Sequence, residues 1–271
     1  MNVPLELRVK EIALTRKVKT WFDCFATMNM NLHDQIRLDL ACACRIIANE
    51  KMDDSIAGHL SVRIPGTDEM WTNPYPFYFA DITPDDVVRV DMKGRVIEGR
   101  HQPNPSIDLH PAIYRRRLDV GAIVHTHPPY VTAYSALGRE IEVYDQVGSF
   151  VFEEQAIYNE FTGTIFSDAG ADPIAEALGA KNIGILKNHG LIAVGTDIRF
   201  ALGYTLLAER ASRVQAMALQ FGAGEADKLD DEVARQTKAA NIEIGHYEDW
   251  WQALVRGLRR SDPDLFHQPE K

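Results

Sequence analysis

Cysteine is scarce: Cys24, Cys42 and Cys44 are the only three in 271 residues. An odd count with no second pair offers no disulfide framework. On a helix, the two-residue step from Cys42 to Cys44 points the thiols to nearly opposite faces, which excludes a chelate or redox pair. They read as small buried residues of a reduced, cytoplasmic protein. No apolar run approaches the ~18 residues of a membrane span, and no positively charged leader precedes an apolar core at the N-terminus, so neither a membrane segment nor a signal peptide is expected. Positive charge is also in short supply. Lys and Arg number 29 against 39 Asp and Glu, a net charge of -10, which argues against broad nucleic-acid binding. The one dense basic run, Arg115-Arg116-Arg117, reads as a solvated helix face or an oligomer contact. No Gly-x-Ser-x-Gly elbow supports serine hydrolysis.

What is present is an ordinary globular composition, 45% hydrophobic and 25% charged, long enough for one large domain with helical extensions. Ile36, Leu40, Ala43 and Ile47 recur at helical spacing and predict a helix over 34–50. Leu60, Val62 and Ile64 alternate with polar residues as in a half-buried strand, turned by Pro65-Gly66. Short strands are expected at 77–79, 87–90 and 96–97, a helix at 107–117 and an apolar strand at 122–126. A helix over 173–178 ends at Gly179, and strands at 183–186 and 191–194 flank the turn Lys187-Asn188-His189-Gly190. Phe200, Tyr204, Leu207, Ala211, Val214, Ala218 and Phe221 mark a long amphipathic helix. Gly222-Ala223-Gly224 then reads as a hinge to a helical tail whose Trp250, Trp251 and Leu254 dock on a neighbouring surface. The boundaries follow: an N-terminal segment over 1–31, a metal-binding domain over 32–221 and a helical tail over 222–271.

The chemistry centres on His125-Thr126-His127. Residues two apart on a strand project from one face, so both imidazoles reach one point in space, and Pro128-Pro129 ends the strand beside a loop. Catalytic metal sites commonly use three protein ligands and keep a position open. His189 is the third candidate, since it sits in a tight turn and Gly190 permits close backbone approach. Spacing alone does not connect it to the pair. His33, His101, His246 and His267 read as surface residues.

The ordered segments Gly58-His59-Leu60-Ser61-Val62-Arg63, Ile82-Thr83-Pro84-Asp85-Asp86, His110-Pro111-Ala112-Ile113-Tyr114, Val124-His125-Thr126-His127-Pro128 and Lys187-Asn188-His189-Gly190 resemble the class II aldolase/adducin family over about residues 32–220. The resemblance implies an α/β fold, a three-layer αβα domain with a largely antiparallel central sheet. It implies homo-oligomers, often tetramers, with sites at subunit boundaries. It also implies one divalent metal ion per chain on His125, His127 and His189, zinc foremost, with manganese, iron or cobalt as alternatives. In the aldolases of this family the metal polarises a carbonyl or enediolate oxygen, and carbon–carbon cleavage proceeds through a metal-bound enolate.

Three departures bear on the substrate. Four positions before the histidine matching His110, where the sugar-phosphate aldolases carry an acidic general acid/base, stands Ser106; Asp108, two residues on, points about 200° away on a helix. The Gly-Asn pair that helps hold a phosphate is Gly58-His59, and the serine pair of the phosphate pocket is Asn104-Pro105. The expected activity is therefore that of a metal-dependent lyase cleaving a small hydroxy- or oxo-acid, by aldol cleavage or decarboxylation. Ser106, His59 and Glu154 are the candidate catalytic residues, and His59, Arg63 and Asn104 the candidate substrate-binding residues. Glu153 and Glu154, which follow the apolar run 147–152, are candidate carboxylate ligands or proton donors. Tyr130, Tyr144 and Tyr158 are candidate proton donors from a neighbouring subunit. His110 reads as a packing residue or a support to the ligands. The alternatives are a non-haem iron oxygenase on the same scaffold and a non-catalytic adducin-like interaction module. Expected partners are a small-molecule substrate and copies of the chain, with neither nucleic acid nor membrane.

Overall fold

Asn31 opens the first helix by accepting the backbone N–H of Asp34 on its side-chain oxygen at 3.0 Å, satisfying one donor that a helix start leaves free. That helix, α1 (Leu32–Asn49), begins the part of the chain described by the computed structural model, residues 30–161 and 163–266. Cys24 and residues 1–29 of the expected N-terminal segment 1–31 lie outside it, as does His267. Then follow β1 (His59–Arg63), β2 (Glu69–Thr72), β3 (Pro74–Tyr75), β4 (Val88–Asp91), β5 (Val96–Glu98), β6 (Gln102–Pro103), α2 (Leu109–Arg116), β7 (Ala122–Thr126), α3 (Pro129–Ser135), β8 (Gln155–Tyr158), α4 (Asp168–Leu178), β9 (Ile183–Leu186), β10 (Gly190–Gly195), α5 (Ile198–Phe221), α6 (Asp231–Glu243) and α7 (His246–Ser261). No helix among the described residues is long and apolar enough to cross a membrane.

The eight-stranded sheet runs β5-β4-β2-β1-β7-β10-β9-β8. Every neighbouring pair is antiparallel except β8 with β9, so the sheet is mixed but largely antiparallel, as expected. The strand period of two sorts side chains into two layers. Ala122 and Val124 of β7 pack with Leu60 and Val62 under α1, the start of α5, and α7, while Leu191 and Ala193 of β10 pack under the middle of α5. The alternate residues, Ile123 of β7 with Ile192 and Val194 of β10, pack on the opposite face against Ile113 and Tyr114 of α2 and Ile174 and Leu178 of α4. Trp251 is buried with α1 and Trp250 and Leu254 lie partly buried beside it, so the tail docks on the domain's own helical layer.

Several local expectations need correction. The stretch 77–79 forms no strand; Phe79–Asp81 is a 3-10 turn. Its place in the sheet belongs to β2, where Trp71 and Met70 are buried. Helix α4 starts at Asp168, five residues before the expected start at Pro173. Its acidic first turn is held by the basic run: Arg115 reaches Asp168 at 2.9 Å and Arg116 reaches Asp172 at 2.7 Å. Arg117 pairs with Asp119 and donates to the carbonyls of Gly179 and Lys181. The arginine run thus lies on a solvated face, as expected, with Arg115 and Arg116 exposed, and on that face it also ties α2 to α4.

Candidate metal centre

The three candidate ligands converge because three strand ends meet. β7 and β10 pair with Thr126 opposite Leu191 and His125 opposite Ile192, and β10 pairs with β9 with Gly190 opposite Leu186. The C-terminal end of β7 therefore lies beside the turn that carries His189. Asn188 in this turn has φ +56, a left-handed conformation that asparagine tolerates better than most residues. One potential ligand atom from each of His125, His127 and His189 lies within 4.8 Å of the others. The His125 ring centroid is 5.1 Å from that of His127 and 4.9 Å from that of His189.

The outer nitrogens are already engaged. His125 Nδ1 donates to the carbonyl of Leu191 at 2.8 Å, and His127 Nδ1 donates to Asp54 Oδ2 at 3.0 Å. Each bond fixes a tautomer whose Nε2 carries the lone pair a metal needs. His127 Nε2 is buried with no hydrogen-bond partner among the described residues, a costly state unless something binds there. Burial, with repulsion from the neighbouring imidazoles, holds His125 well below the usual histidine range, and burial beside His127 takes His189 down to about 4. Neutral imidazoles at pH 7 are ligands rather than cations. The donor set fits a divalent metal with three nitrogen ligands and an open position.

Gly190 has a steric duty here. A Cβ at this position would lie 2.8 Å from His127 Cδ2 and 2.9 Å from the carbonyl oxygen of Thr126. Gly190→Ala pushes on the ligand strand, with a strain of ~1–3 kcal/mol. Weaker zinc binding in a chelator competition, with an unchanged circular dichroism spectrum, is the expected outcome; unchanged affinity contradicts this role.

The histidines open into a cleft of about 430 Å³. Its walls include His59, Asn104 and Ser106, together with Ile56, Tyr75, Leu109, Ile165, Phe161 and Phe166. No lysine or arginine is among its described lining residues. Three of the predicted substrate or catalytic residues are thus brought to the centre, and Ser106 N–H is held by Asn104 Oδ1 at 2.9 Å.

Two are not. Arg63 lies at the far end of β1 from His59, where it donates to the carbonyl of Tyr114 at 2.8 Å and stacks over that ring at 4.8 Å. Glu154 precedes β8, whose Gln155 pairs with Ile183 at the start of β9, the end of that strand away from His189. It accepts from Asn182 at 2.7 Å and pairs with Lys238 of α6 at 3.0 Å, so it fastens the tail. Glu153 is bound to Arg235 of α6. Of the tyrosines, Tyr130 is exposed and Tyr144 donates to Glu142 at 3.0 Å.

The structure adds residues that sequence reasoning missed. Asp54 comes from the loop after α1, where no periodicity singles it out. Ser61 and Tyr114 lie beneath the cleft with His59 and His110, and all four are buried. Their signal was present as two periods, 59-61-63 along a strand face and 110-114 along a helix face.

Residues 38–216 match the family model for the class II aldolase and adducin N-terminal domain. The chain belongs to the class II aldolase and adducin family. Among family relatives, it is 33% identical over 232 residues to the decarboxylase NovR of Streptomyces niveus, covering 83% of this chain and 84% of that one. It is 32% identical over 232 residues to the 4-hydroxy-3-prenylphenylpyruvate oxygenase/4-hydroxy-3-prenylbenzoate synthase of Streptomyces roseochromogenus, covering 83% and 82%. The fold superposes on an L-fuculose 1-phosphate aldolase from Glaciozyma antarctica with a TM-score of 0.73 at 29% identity, covering 84% of this chain and 91% of that one. Aldolases and decarboxylases of this family point to a lyase-type enzyme that uses a divalent metal and a small-molecule substrate.

Proposed function

We propose that this family member is a metal-dependent lyase that breaks a carbon–carbon bond of a small hydroxy- or oxo-acid, with decarboxylation of an aromatic acid as the favoured form. The observation that carries this reading is the cleft lining: three candidate metal-ligating histidines beside Tyr75, Phe161, Phe166 and Ile165, and no cationic side chain among the described lining residues. A phosphodianion is ordinarily met by Arg, Lys or clustered backbone N–H groups. The positions used for it elsewhere in the family are His59, Asn104 and Pro105 here. An aromatic acid instead matches apolar walls and one strong charge. The name of the Streptomyces niveus relative supports decarboxylation.

The metal, zinc foremost and manganese, iron or cobalt as alternatives, would be held by His125, His127 and His189 and supplies Lewis acidity to a substrate oxygen. Asn104 and Ser106 offer uncharged hydrogen-bonding groups to the carboxylate, and His59 meets a hydroxyl. The apolar walls keep water from the carboxylate and favour loss of its charge as carbon dioxide leaves. The electron pair of the broken bond would take a proton at carbon, drawn ultimately from solvent water, so that the carboxylate plus one proton gives the decarboxylated product and carbon dioxide. Buried free thiols at Cys42 and Cys44 support a reduced, cytoplasmic setting, and the family resemblance supports a homotetramer.

The test is carbon dioxide release from 4-hydroxyphenylpyruvate-type and hydroxybenzoate-type acids by zinc- and manganese-loaded protein under anaerobic conditions, beside L-fuculose 1-phosphate. Release from an acid with no turnover of the sugar phosphate is expected; the reverse pattern contradicts the reading. A second reading, a non-haem iron oxygenase, is favoured by the name of the Streptomyces roseochromogenus relative. Product formation only with ferrous iron, coupled to oxygen consumption, would establish it instead.

A further inference from the structure

Beneath the cleft, a chain of buried polar groups crosses from β1 to α2. His59 Nδ1 lies 2.8 Å from His110 Nε2, and His110 Nδ1 lies 2.7 Å from Ser61 Oγ. Ser61 Oγ lies 2.9 Å from the Tyr114 hydroxyl, which also reaches the carbonyl oxygen of Ser61 at 3.3 Å. At the other end His59 is a wall residue of the cleft, and its Nε2 is buried with no hydrogen-bond partner among the described residues. The geometry follows from two periods already noted: side chains 59 and 61 share one strand face, and 110 and 114 share one helix face.

Two proton arrangements fit the chain, and they differ in their number of bonds. In the first, His59 Nδ1–H donates to His110 Nε2, His110 Nδ1–H to Ser61 Oγ, Ser61 Oγ–H to the Tyr114 oxygen, and Tyr114 O–H to the Ser61 carbonyl. Every hydrogen has an acceptor, and His59 Nε2 is left as a bare lone pair. In the second, Tyr114 donates to Ser61 Oγ, Ser61 to His110 Nδ1, and His110 Nε2–H to His59 Nδ1. That order loses the bond to the Ser61 carbonyl and leaves His59 with an Nε2–H that nothing accepts. A buried donor without an acceptor costs ~1–3 kcal/mol, so the first arrangement wins.

We infer that Tyr114, Ser61 and His110 are positioning residues that lock His59 in the tautomer with a bare Nε2, making it the hydrogen-bond acceptor for a substrate hydroxyl in the cleft. The inference deepens the proposed lyase reading. His59, rather than Ser106, stands in for the acidic residue that the sugar-phosphate aldolases of the family carry. A serine hydroxyl is a weak acceptor and already has its backbone tied to Asn104. Among the described residues the buried Tyr114 hydroxyl has no hydrogen-bond partner beyond Ser61, so this relay orients His59 and does not carry protons to solvent.

The test reads protonation of ring nitrogens directly. Nitrogen-15 magic-angle-spinning NMR is recorded on histidine-labelled full-length protein, metal-free and zinc-loaded, with His59 assigned by difference from a His59→Gln variant. In the wild type, a protonated Nδ1 and a bare Nε2 at His59 are expected. In Tyr114→Phe, Ser61 Oγ–H loses its acceptor, each of the two orders then leaves one buried donor unpaired, and the single wild-type tautomer is expected to give way to a mixture in which part of His59 carries an Nε2–H. Ser61→Ala cuts the chain, and a mixture of tautomers is expected. An Nε2–H at His59 in the wild type overturns the inference without any variant, and so does a Tyr114→Phe protein that keeps the wild-type pattern. Metal content after loading with zinc, manganese, cobalt or ferrous iron separates the two readings: binding of none of them removes the lyase proposal while the tautomer result stands, and normal metal binding with the wrong tautomer removes only this inference.

Discussion

Alanine at His127 is expected to weaken zinc binding by about a thousandfold, roughly 4 kcal/mol, and to abolish turnover of any substrate. Loss of one imidazole leaves two nitrogens, His125 and His189, too few to hold a hydrated ion against solvent at the mouth of a cleft. The geometry makes a graded companion prediction. Asp54 is not one of the three grouped candidate ligands but accepts the Nδ1–H of His127 at 3.0 Å, fixing both tautomer and ring angle. Asp54→Ala should therefore cost about ten- to a hundredfold in affinity, well short of the ligand itself. Isothermal titration with a competing chelator measures both. Equal effects for the two variants would mean that Asp54 is itself a ligand; no effect for either would remove the centre.

The second large effect is acid instability of the metal-free protein. Burial, reinforced by repulsion from the neighbouring imidazoles, holds His59, His110 and His125 well below the usual histidine range, and burial with His127 nearby takes His189 down to about 4. In the unfolded chain these rings protonate near pH 6.5. Between pH 6.5 and the lower folded values the unfolded state binds more protons. Stability is therefore intact above about pH 6.5 and falls as the pH drops below it, by about 1.4 kcal/mol per pH unit for each ring. The three most deeply buried rings together give a slope of about 4 kcal/mol per unit, a fall in melting temperature of roughly 10 °C per unit for a domain of this size. A thermal melt series from pH 7.5 to 5 reads it. Zinc should raise the melting temperature at pH 7.5 and lose that advantage in the same window, because protons compete for the ring nitrogens. A flat melting temperature down to pH 5.5 would show that the rings ionise freely.

The parts of the site legible in the sequence are those carried by local periodicity. His125 and His127 share a face because a strand repeats every two residues, and the apolar run before them and the prolines after them bracketed that strand. His189 could not be joined to them by spacing, since its place depends on Leu191 pairing with Thr126 across the sheet; the ordered family segments supplied the link. Where register between distant strands decided the outcome, local reading failed. Arg63 shares a face with His59, yet antiparallel pairing puts it at the other end of β1, against Tyr114. Glu154 follows a convincing apolar run, but the parallel pairing of β8 with β9 carries it away from His189 to Lys238. Strand β2 escaped notice because its four residues alternate too briefly, and the early start of α4 because Pro173 reads as a beginning when the arginines of α2 hold a turn ahead of it.

The measurement that bears most directly on the central claim is elemental analysis of the purified protein, before and after incubation with zinc, manganese and ferrous iron, beside a variant with His125 and His127 both changed to alanine. About one metal ion per chain in the wild type, lost in the variant while its fold by circular dichroism is kept, is the predicted result. An absence of metal in the wild type under every loading condition, or metal retained by the double variant, would contradict a centre built on His125, His127 and His189.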